Sequence, residues 1–272
     1  MLCGERHHPP MPDAFFHRDG DLYIPTELTR GPWSGQAQHG GPPAALLGTA
    51  MERTEGRDGA MVVRATFEML KPVPLAPLTL STRVLSAGRS VQVIGGLLSS
   101  GGEEILRGQA VRMRLTDVAL DEPPLSPPPP GPEQGKPAPF FPSGHDVGYH
   151  TGMEISFVRG GFVEQGPAVA WMRMRHPLVA GDPIAPLARV LIAADSGNGV
   201  SSALDYRRFI FINPDLTVNL HRYPDGEWVC LEAETTVSRR GVGLAVSVLY
   251  DRRGPIGRGS QSLLIGERKT QV

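Results

Sequence analysis

The sequence predicts an α+β fold built twice, each half a central helix followed by a meander of long antiparallel strands curved around it. Three observations lead there. Ten of the 27 prolines lie between Glu122 and Pro142, dividing the 272 residues into two comparable parts. The same order of helical and strand-like segments occurs on both sides of that divide. A shift of 151 residues places Thr66 on Thr217, Lys71 on Arg222, Arg89 on Arg240 and Arg107-Gly108 on Arg258-Gly259, which is the mark of an internal duplication.

In the first half, GGPPAALLGTAMERTEG (40–56) reads as a short helix. Prolines are tolerated in a first turn, where their missing N–H would have no partner, and Gly56 stands near the end. Strand-like runs come next at 61–70, 78–86, 91–100 and 104–115, rich in β-branched residues and bounded by turn formers. The segment EPPLSPPPPGPEQGKPAPFFP is expected to be extended and poorly packed, since polyproline makes no internal hydrogen bonds. In the second half, PLARVLIAADSGNGVSSAL (186–204) is helical in character, and FIFINPDLTVNLHR, EWVCLEAETTVS, VGLAVSVLYD and IGRGSQSLLI read as strands. The expected organisation is therefore a first domain over residues 1–120, a proline-rich linker over 121–145 and a second domain over 146–272.

Composition excludes several classes of function. Twenty-seven Lys+Arg against 28 Asp+Glu leave a net charge of −1, so there is no electrostatic footprint for nucleic acid. No apolar run approaches the roughly 18–20 residues of a membrane span, and MLCGERHHPP lacks the apolar core of a secretory signal. Cys3 and Cys230 form neither a zinc spacing nor a disulfide framework, which suits a reducing cytoplasm. His145 and His150 lack a second pair to complete a metal site and read as solvated loop residues. Neither a G-x-S-x-G nucleophile elbow nor a phosphate-cradling glycine motif is present, so no metal or cofactor is expected.

Candidate chemistry gathers in the second half. Leu187, Leu191 and Asp195 are spaced i, i+4, i+8, which puts a carboxylate on the apolar stripe of a continuous helix. Burial would raise its pKa above the ordinary value of about 3.9, towards a useful base; the competing reading is a turn in which Asp195 caps the next segment. Alternation places Gln261 on the apolar face of the last strand with Leu263 and Ile265, where its amide serves either an active-site water or nearby backbone. Asn213 opens an Asn-Pro turn, and Thr217 shares its face if that strand is continuous. In the first half, His39-Gly40-Gly41 immediately precedes the helix; its glycines permit close approach of a ligand to free N–H groups, while His39 itself reads as a surface residue.

The segments AADSGNG, NPDLTVNLHR leading to GEWV, and YDRRGPIGRGSQSLL resemble the double-hotdog acyl-CoA thioesterases, the bacterial acyl-CoA thioesterase II family. The resemblance spans nearly the whole chain apart from the linker and implies a tandem hotdog fold, two antiparallel sheets each wrapped around a central helix. It further implies hydrolysis of an acyl-CoA, or an acyl-phosphopantetheine, by water activated at Asp195. Asp195 and Gln261 match the family's catalytic aspartate and glutamine, whereas Asn213 stands where the family usually carries Ser or Thr. By the analogy of single-domain relatives, Gly40 and Gly41 of one half would face Asp195 of the other and polarise the carbonyl. Position 195 has no acidic counterpart at Ala44 or Gly48, so one active site per chain is expected. A non-catalytic acyl-thioester or lipid-binding module is the alternative, because fold does not decide function. The two halves are expected to pair edge to edge as an intrachain pseudo-dimer, with further homo-oligomerisation a hypothesis that light scattering tests.

Overall fold

In a computed structural model of the chain, residues 12–55 and 59–268 are described. The expectations attached to Cys3, to the first ten residues and to Gly56 fall outside them. In chain order the elements are β1 (Phe16–Asp19), β2 (Leu22–Pro25), α1 (Gly41–Arg53), β3 (Ala60–Met69), β4 (Leu78–Ala87), β5 (Val91–Ser100) and β6 (Glu103–Arg114). The second half supplies α2 (Tyr149–Gly152), β7 (Met153–Arg159), β8 (Ala168–Met174), α3 (Pro186–Ala194), α4 (Gly197–Val200), β9 (Phe209–Ile212), β10 (Asp215–Leu220), β11 (Val229–Val237), β12 (Val242–Asp251) and β13 (Gly254–Glu267).

The strands form one sheet where the sequence suggests two. Its order is β1-β2-β4-β5-β6-β3-β10-β13-β12-β11-β8-β7, with β9 added beside β13. The seam is the antiparallel pair β3–β10, in which Thr66 faces Thr217. Each of these strands would otherwise be an unpaired edge, and each edge is satisfied by the other half. The Oγ1 of Thr217 donates to that of Thr66 at 3.2 Å across an interval of 151 residues. The same interval relates the hairpins: Gly96 opposes Gly108 in β5–β6, and Ser247 opposes Gly259 in β12–β13. Residues that face each other across an antiparallel seam are exchanged by a local two-fold, so the halves are related about the Thr66–Thr217 pair.

One core serves both halves. Leu47, Met51, Phe67 and Ile94 join Leu187, Leu191, Leu231 and Leu249 in a single buried cluster between the sheet and the antiparallel helices α1 and α3. In β5, Gln92, Ile94, Gly96 and Leu98 face α1, in the period-2 alternation of a strand. Helix α1 lies close because Gly96 carries no side chain: a Cβ there would stand 2.8 Å from Leu47 Cδ1. Its C-terminal turn is capped by the buried Arg112, which donates to the carbonyls of Glu52 (2.7 Å) and Thr54 (2.9 Å).

Several elements depart from the sequence reading. Strand β8 has six of its seven residues buried, so it lacks the polar alternation that announces a strand. The run 209–222 is not one strand, because Pro214 cannot donate to a ladder and separates β9 from β10. The helix expected over 186–204 stops at Ala194 and resumes briefly as α4. The proline-rich linker is exposed over 121–127 but docked beyond: Trp171 Nε1 donates to the Pro130 carbonyl at 2.7 Å, and Lys136 and Phe157 exchange backbone bonds. Phe141 is buried beside Phe162 and Val200. His150 is no free loop residue either, since it stacks on Phe140 with centroids 4.9 Å apart. Burial, and secondarily the neighbouring His145, holds its imidazole below the usual range.

Asp251 ties the connection before β11 to the β12–β13 turn. Fully buried, it pairs with Arg222 and accepts from the backbone N–H groups of Asp225 and Arg253, each at 2.8 Å. Burial alone would raise this carboxyl, but the Arg222 hydrogen bonds and the two N–H donors bring it below its ordinary value. A depressed carboxyl stabilises the fold above its unfolded pKa of about 3.9, and that contribution is lost as pH falls through the folded value. Asp251→Asn should therefore lower stability by about 3–5 kcal/mol near neutrality and flatten the acid limb of the stability-pH curve. Urea denaturation between pH 3 and 7 measures both.

Candidate active site

The end of α3 and the start of α1 meet in the core. Leu187 and Leu191 are fully buried on the stripe that leads to Asp195, which keeps right-handed helical angles as the C-cap and is 4% exposed. Burying an unpaired carboxylate is costly, so its partners are the first question. Asn213 Nδ2 donates to Oδ1 at 2.8 Å, and His39 Nδ1 lies 3.0 Å from Oδ2. Gln261 Nε2 donates to the backbone carbonyl of Asp195 at 3.0 Å and reaches Oδ1 at 3.4 Å.

The two amides do different things. Gln261 is buried, and its Oε1 accepts the Asn198 N–H at 3.0 Å, so both ends of the amide are engaged with the break between α3 and α4. It fixes the backbone that carries Asp195. Asn213 is only half-buried, and among the described residues no hydrogen bond engages its Oδ1. The strand break at Pro214 turns Asn213 inward; the Pro214 carbonyl meanwhile accepts from Met69 N–H at 2.7 Å and holds the seam. Thr217 does not share that face. Leu216 and Val218 point into the core, and the Thr217 hydroxyl bonds Thr66 across the seam, away from Asp195.

Gly40 and Gly41 come from the other half. A Cβ on Gly40 would stand 2.9 and 3.0 Å from the two carboxylate oxygens of Asp195, and one on Gly41 would stand 2.5 Å from the Ile192 carbonyl oxygen. Only glycine permits this approach. Pro42 and Pro43 lack N–H groups, so the first turn of α1 carries just the N–H groups of Gly40 and Gly41. Gly41 N lies 3.1 Å from His39 Nδ1.

His39 is not the surface residue that its sequence context suggests. It stacks on Tyr149, with centroids 3.8 Å apart and planes 2° from parallel. The Tyr149 hydroxyl donates to the Ile192 carbonyl at 2.9 Å and meets Ser196 Oγ at the same distance, while burial pushes its phenol far above the ordinary range. Thus Tyr149 and Ser196 brace the end of α3 and the imidazole together. His39 Nδ1 has two neighbours and one valence to give: protonated, it donates to Asp195 and releases the Gly41 N–H; unprotonated, it accepts from Gly41. The histidine in H-G-G is visible in the sequence, but nothing there links it to Tyr149. Among the described residues no cluster suited to a metal ion occurs.

Known proteins of similar sequence and fold bear on this geometry. The model of the acyl-CoA thioesterase N-terminal domain matches residues 29–113, and that of the acyl-CoA thioesterase C-terminal domain matches residues 132–265. Among solved structures, a candidate thioesterase from Novosphingobium aromaticivorans is similar over 92% of this chain and 98% of its own, at 22% identity and a TM-score of 0.72. A protein with a hot dog fold from Alicyclobacillus acidocaldarius is similar over 95% and 97%, at 17% identity and a TM-score of 0.70. An acyl-CoA thioesterase II from Mycobacterium marinum is similar over 93% and 95%, at 13% identity and a TM-score of 0.65. At such identities these likenesses establish the hotdog fold. Among curated proteins there is no match.

Gln261→Met keeps nearly the same volume and strands two buried backbone groups, the Asn198 N–H and the Asp195 carbonyl. At about 1–3 kcal/mol for each unsatisfied group, the variant should lose roughly 2–6 kcal/mol. Urea denaturation measures this, and an unchanged midpoint would mean that the amide does not hold the helix break.

Proposed function

The chain belongs to the acyl-CoA thioesterase family and is a thioester hydrolase, and from that premise we propose that it cleaves its substrate with a water activated by Asp195, between two hotdog units in tandem. The observation that carries this reading is the buried Asp195 carboxylate set against Gly40 of the opposite half. The shared register of the two hairpins and the Thr66–Thr217 seam support the tandem arrangement. A binding module has no need of such a carboxylate.

Water reaches the site at Asn213, the half-buried member, whose free Oδ1 accepts one of its hydrogens while Asp195 takes the other. The water oxygen attacks the thioester carbon, and the carbonyl oxygen takes up the negative charge. The Gly40 N–H receives it, joined by Gly41 when His39 donates to Asp195. Collapse breaks the C–S bond, and the proton held by Asp195 passes to the departing sulfur. The products are the free acid and the thiol, with the carboxylate restored. A thioester is already electrophilic, so a placed base worth about 10²–10⁴-fold, with oxyanion donors, is sufficient chemistry. His39 is a positioning residue that holds one carboxylate oxygen and, through its tautomer, sets the state of Gly41.

Coenzyme A and a carrier-bound phosphopantetheine present the same thioester arm to this site.

Asp195→Asn should reduce kcat for acyl-CoA hydrolysis by about 10²–10⁴-fold while the thermal melt stays close to wild type. Thiol release from a panel of C2 to C18 acyl-CoAs measures it, and a near-normal rate in the variant would sink the mechanism. Asn213→Ala should lower kcat by roughly tenfold with little change in KM, since the amide meets the water rather than the substrate.

A further inference from the structure

Strands β12 and β13 turn Ala245, Gln261 and Leu263 into the core. Alternation sends their neighbours to the opposite face, away from the helices. There Val242, Leu244 and Val246 of β12, Leu264 of β13 and Ile212 of β9 are each between 45% and 57% exposed. The register makes them one strip: Val242 opposes Leu264, Leu264 opposes Ile212, and Leu244 and Val246 follow along β12. Single apolar side chains on a surface are ordinary, but a contiguous strip marks a contact surface. The docked linker reaches this face only beside Glu232 and Tyr250, beyond Val246.

The two ends of the strip carry opposite charge. At one, the β11–β12 turn exposes Arg239 and Arg240; at the other, the exposed Glu234 of β11 stands opposite Val246. Among the described residues none of the three enters a salt bridge. Arg258, also at the Glu234 end, is on β13 and so two strands away from β11. Sheets packed face to face lie about 10 Å apart, within reach of long side chains. A two-fold axis lying across the strands at Leu244 sets Leu244 on Leu244 of a second copy and Val242 on Val246. It also carries each arginine turn to the glutamate end of the other chain, the self-complementary pattern of an isologous contact. The first half does not share this property. The 151-residue interval puts Arg83 in the place of Glu234, Arg89 in that of Arg240 and Gly95 in that of Val246. The same contact there would set arginine towards arginine over a missing side chain.

We propose that the outer face of β12–β13 is the interface of a homodimer in which two chains pair back to back through their second halves. Val242, Leu244, Val246 and Leu264 form its centre, and Glu234 of each chain meets Arg239 and Arg240 of the other. Asp195 lies on the opposite, helix-covered side of the sheet, so the dimer carries two centres that face away from the contact.

Size-exclusion chromatography with light scattering, over a micromolar dilution series, tests this. The wild type should show twice the 29.3 kDa of the chain, and Leu244→Glu should show the single chain. Val91→Glu, at the position in the first half equivalent to Val242, should leave the dimer intact. Glu234→Arg sets like charges together and should weaken the dimer about tenfold, as should Arg239→Glu with Arg240→Glu. The variant that reverses all three charges should recover the wild-type affinity, which damage to the fold would not produce. A single-chain mass for the wild type overturns the proposal and leaves the strip to another partner. A dimer or larger assembly that Leu244→Glu leaves unchanged overturns it too, because the contact then lies elsewhere. Failure of the triple reversal to improve on either parent overturns the pairing of the strip with itself.

Discussion

The close contact of α1 with α3 governs the rest of the molecule. Gly41 stands against the Ile192 carbonyl and Gly48 against the Leu191 side chain, at distances that leave no room for a Cβ. A helix pair this tight fixes where its ends fall, and the ends are where helices leave polar groups unsatisfied. The start of α1 is thereby pressed onto the finish of α3, and Asp195 draws one of its partners, His39, from the other half and the others, Asn213 and Gln261, from its own. The β3–β10 seam makes the contact obligatory, since it sets both helices over one continuous sheet.

Three local breaks then equip the site. Helix α3 stops at Ala194, so Asp195 ends the apolar stripe instead of continuing it, and Gln261 clamps the gap to α4 from the last strand. Pro214 interrupts the strand between β9 and β10 and turns Asn213 inward. Pro42 and Pro43 begin α1 without N–H groups, which leaves its first turn only the N–H groups of Gly40 and Gly41. Each interruption forfeits regular hydrogen bonding and recovers it around one carboxylate. Hydrogen bonds from Asn213 and Gln261 and the contact with His39 hold the carboxylate in one place.

How much of this is legible in the sequence depends on which signals are local. The i, i+4, i+8 spacing places Asp195 on the buried face because helical periodicity survives to its last turn. Alternation in β13 likewise turns Gln261 inward. Thr217 is misplaced because the pairing of faces assumes an unbroken strand, and a single proline changes the parity. The linker looks loose because polyproline has no partners within itself; Trp171 and Phe157, which hold it, are far along the chain. His39 is the hardest to read. Its role rests on a stack with Tyr149, more than a hundred residues away, and no local pattern encodes such a contact.

The duplication explains why a symmetric frame carries an asymmetric chemistry. A two-fold through the Thr66–Thr217 pair would give two equal helix-end sites if the halves were identical. They differ in a few decisive positions: Asp195 has no acidic counterpart in α1, and Ala110 stands where the 151-residue interval would require a match for Gln261. At the Asp195 end, buried polar groups are numerous and bonded to one another. At the other end, α1 meets the N-terminus of α3 beside an ion pair of Arg53 with Asp182, and no carboxylate of α1 is buried there. Two halves fused in one chain are free to diverge at equivalent positions, so the helix pair carries a buried carboxylate at one end and none at the other.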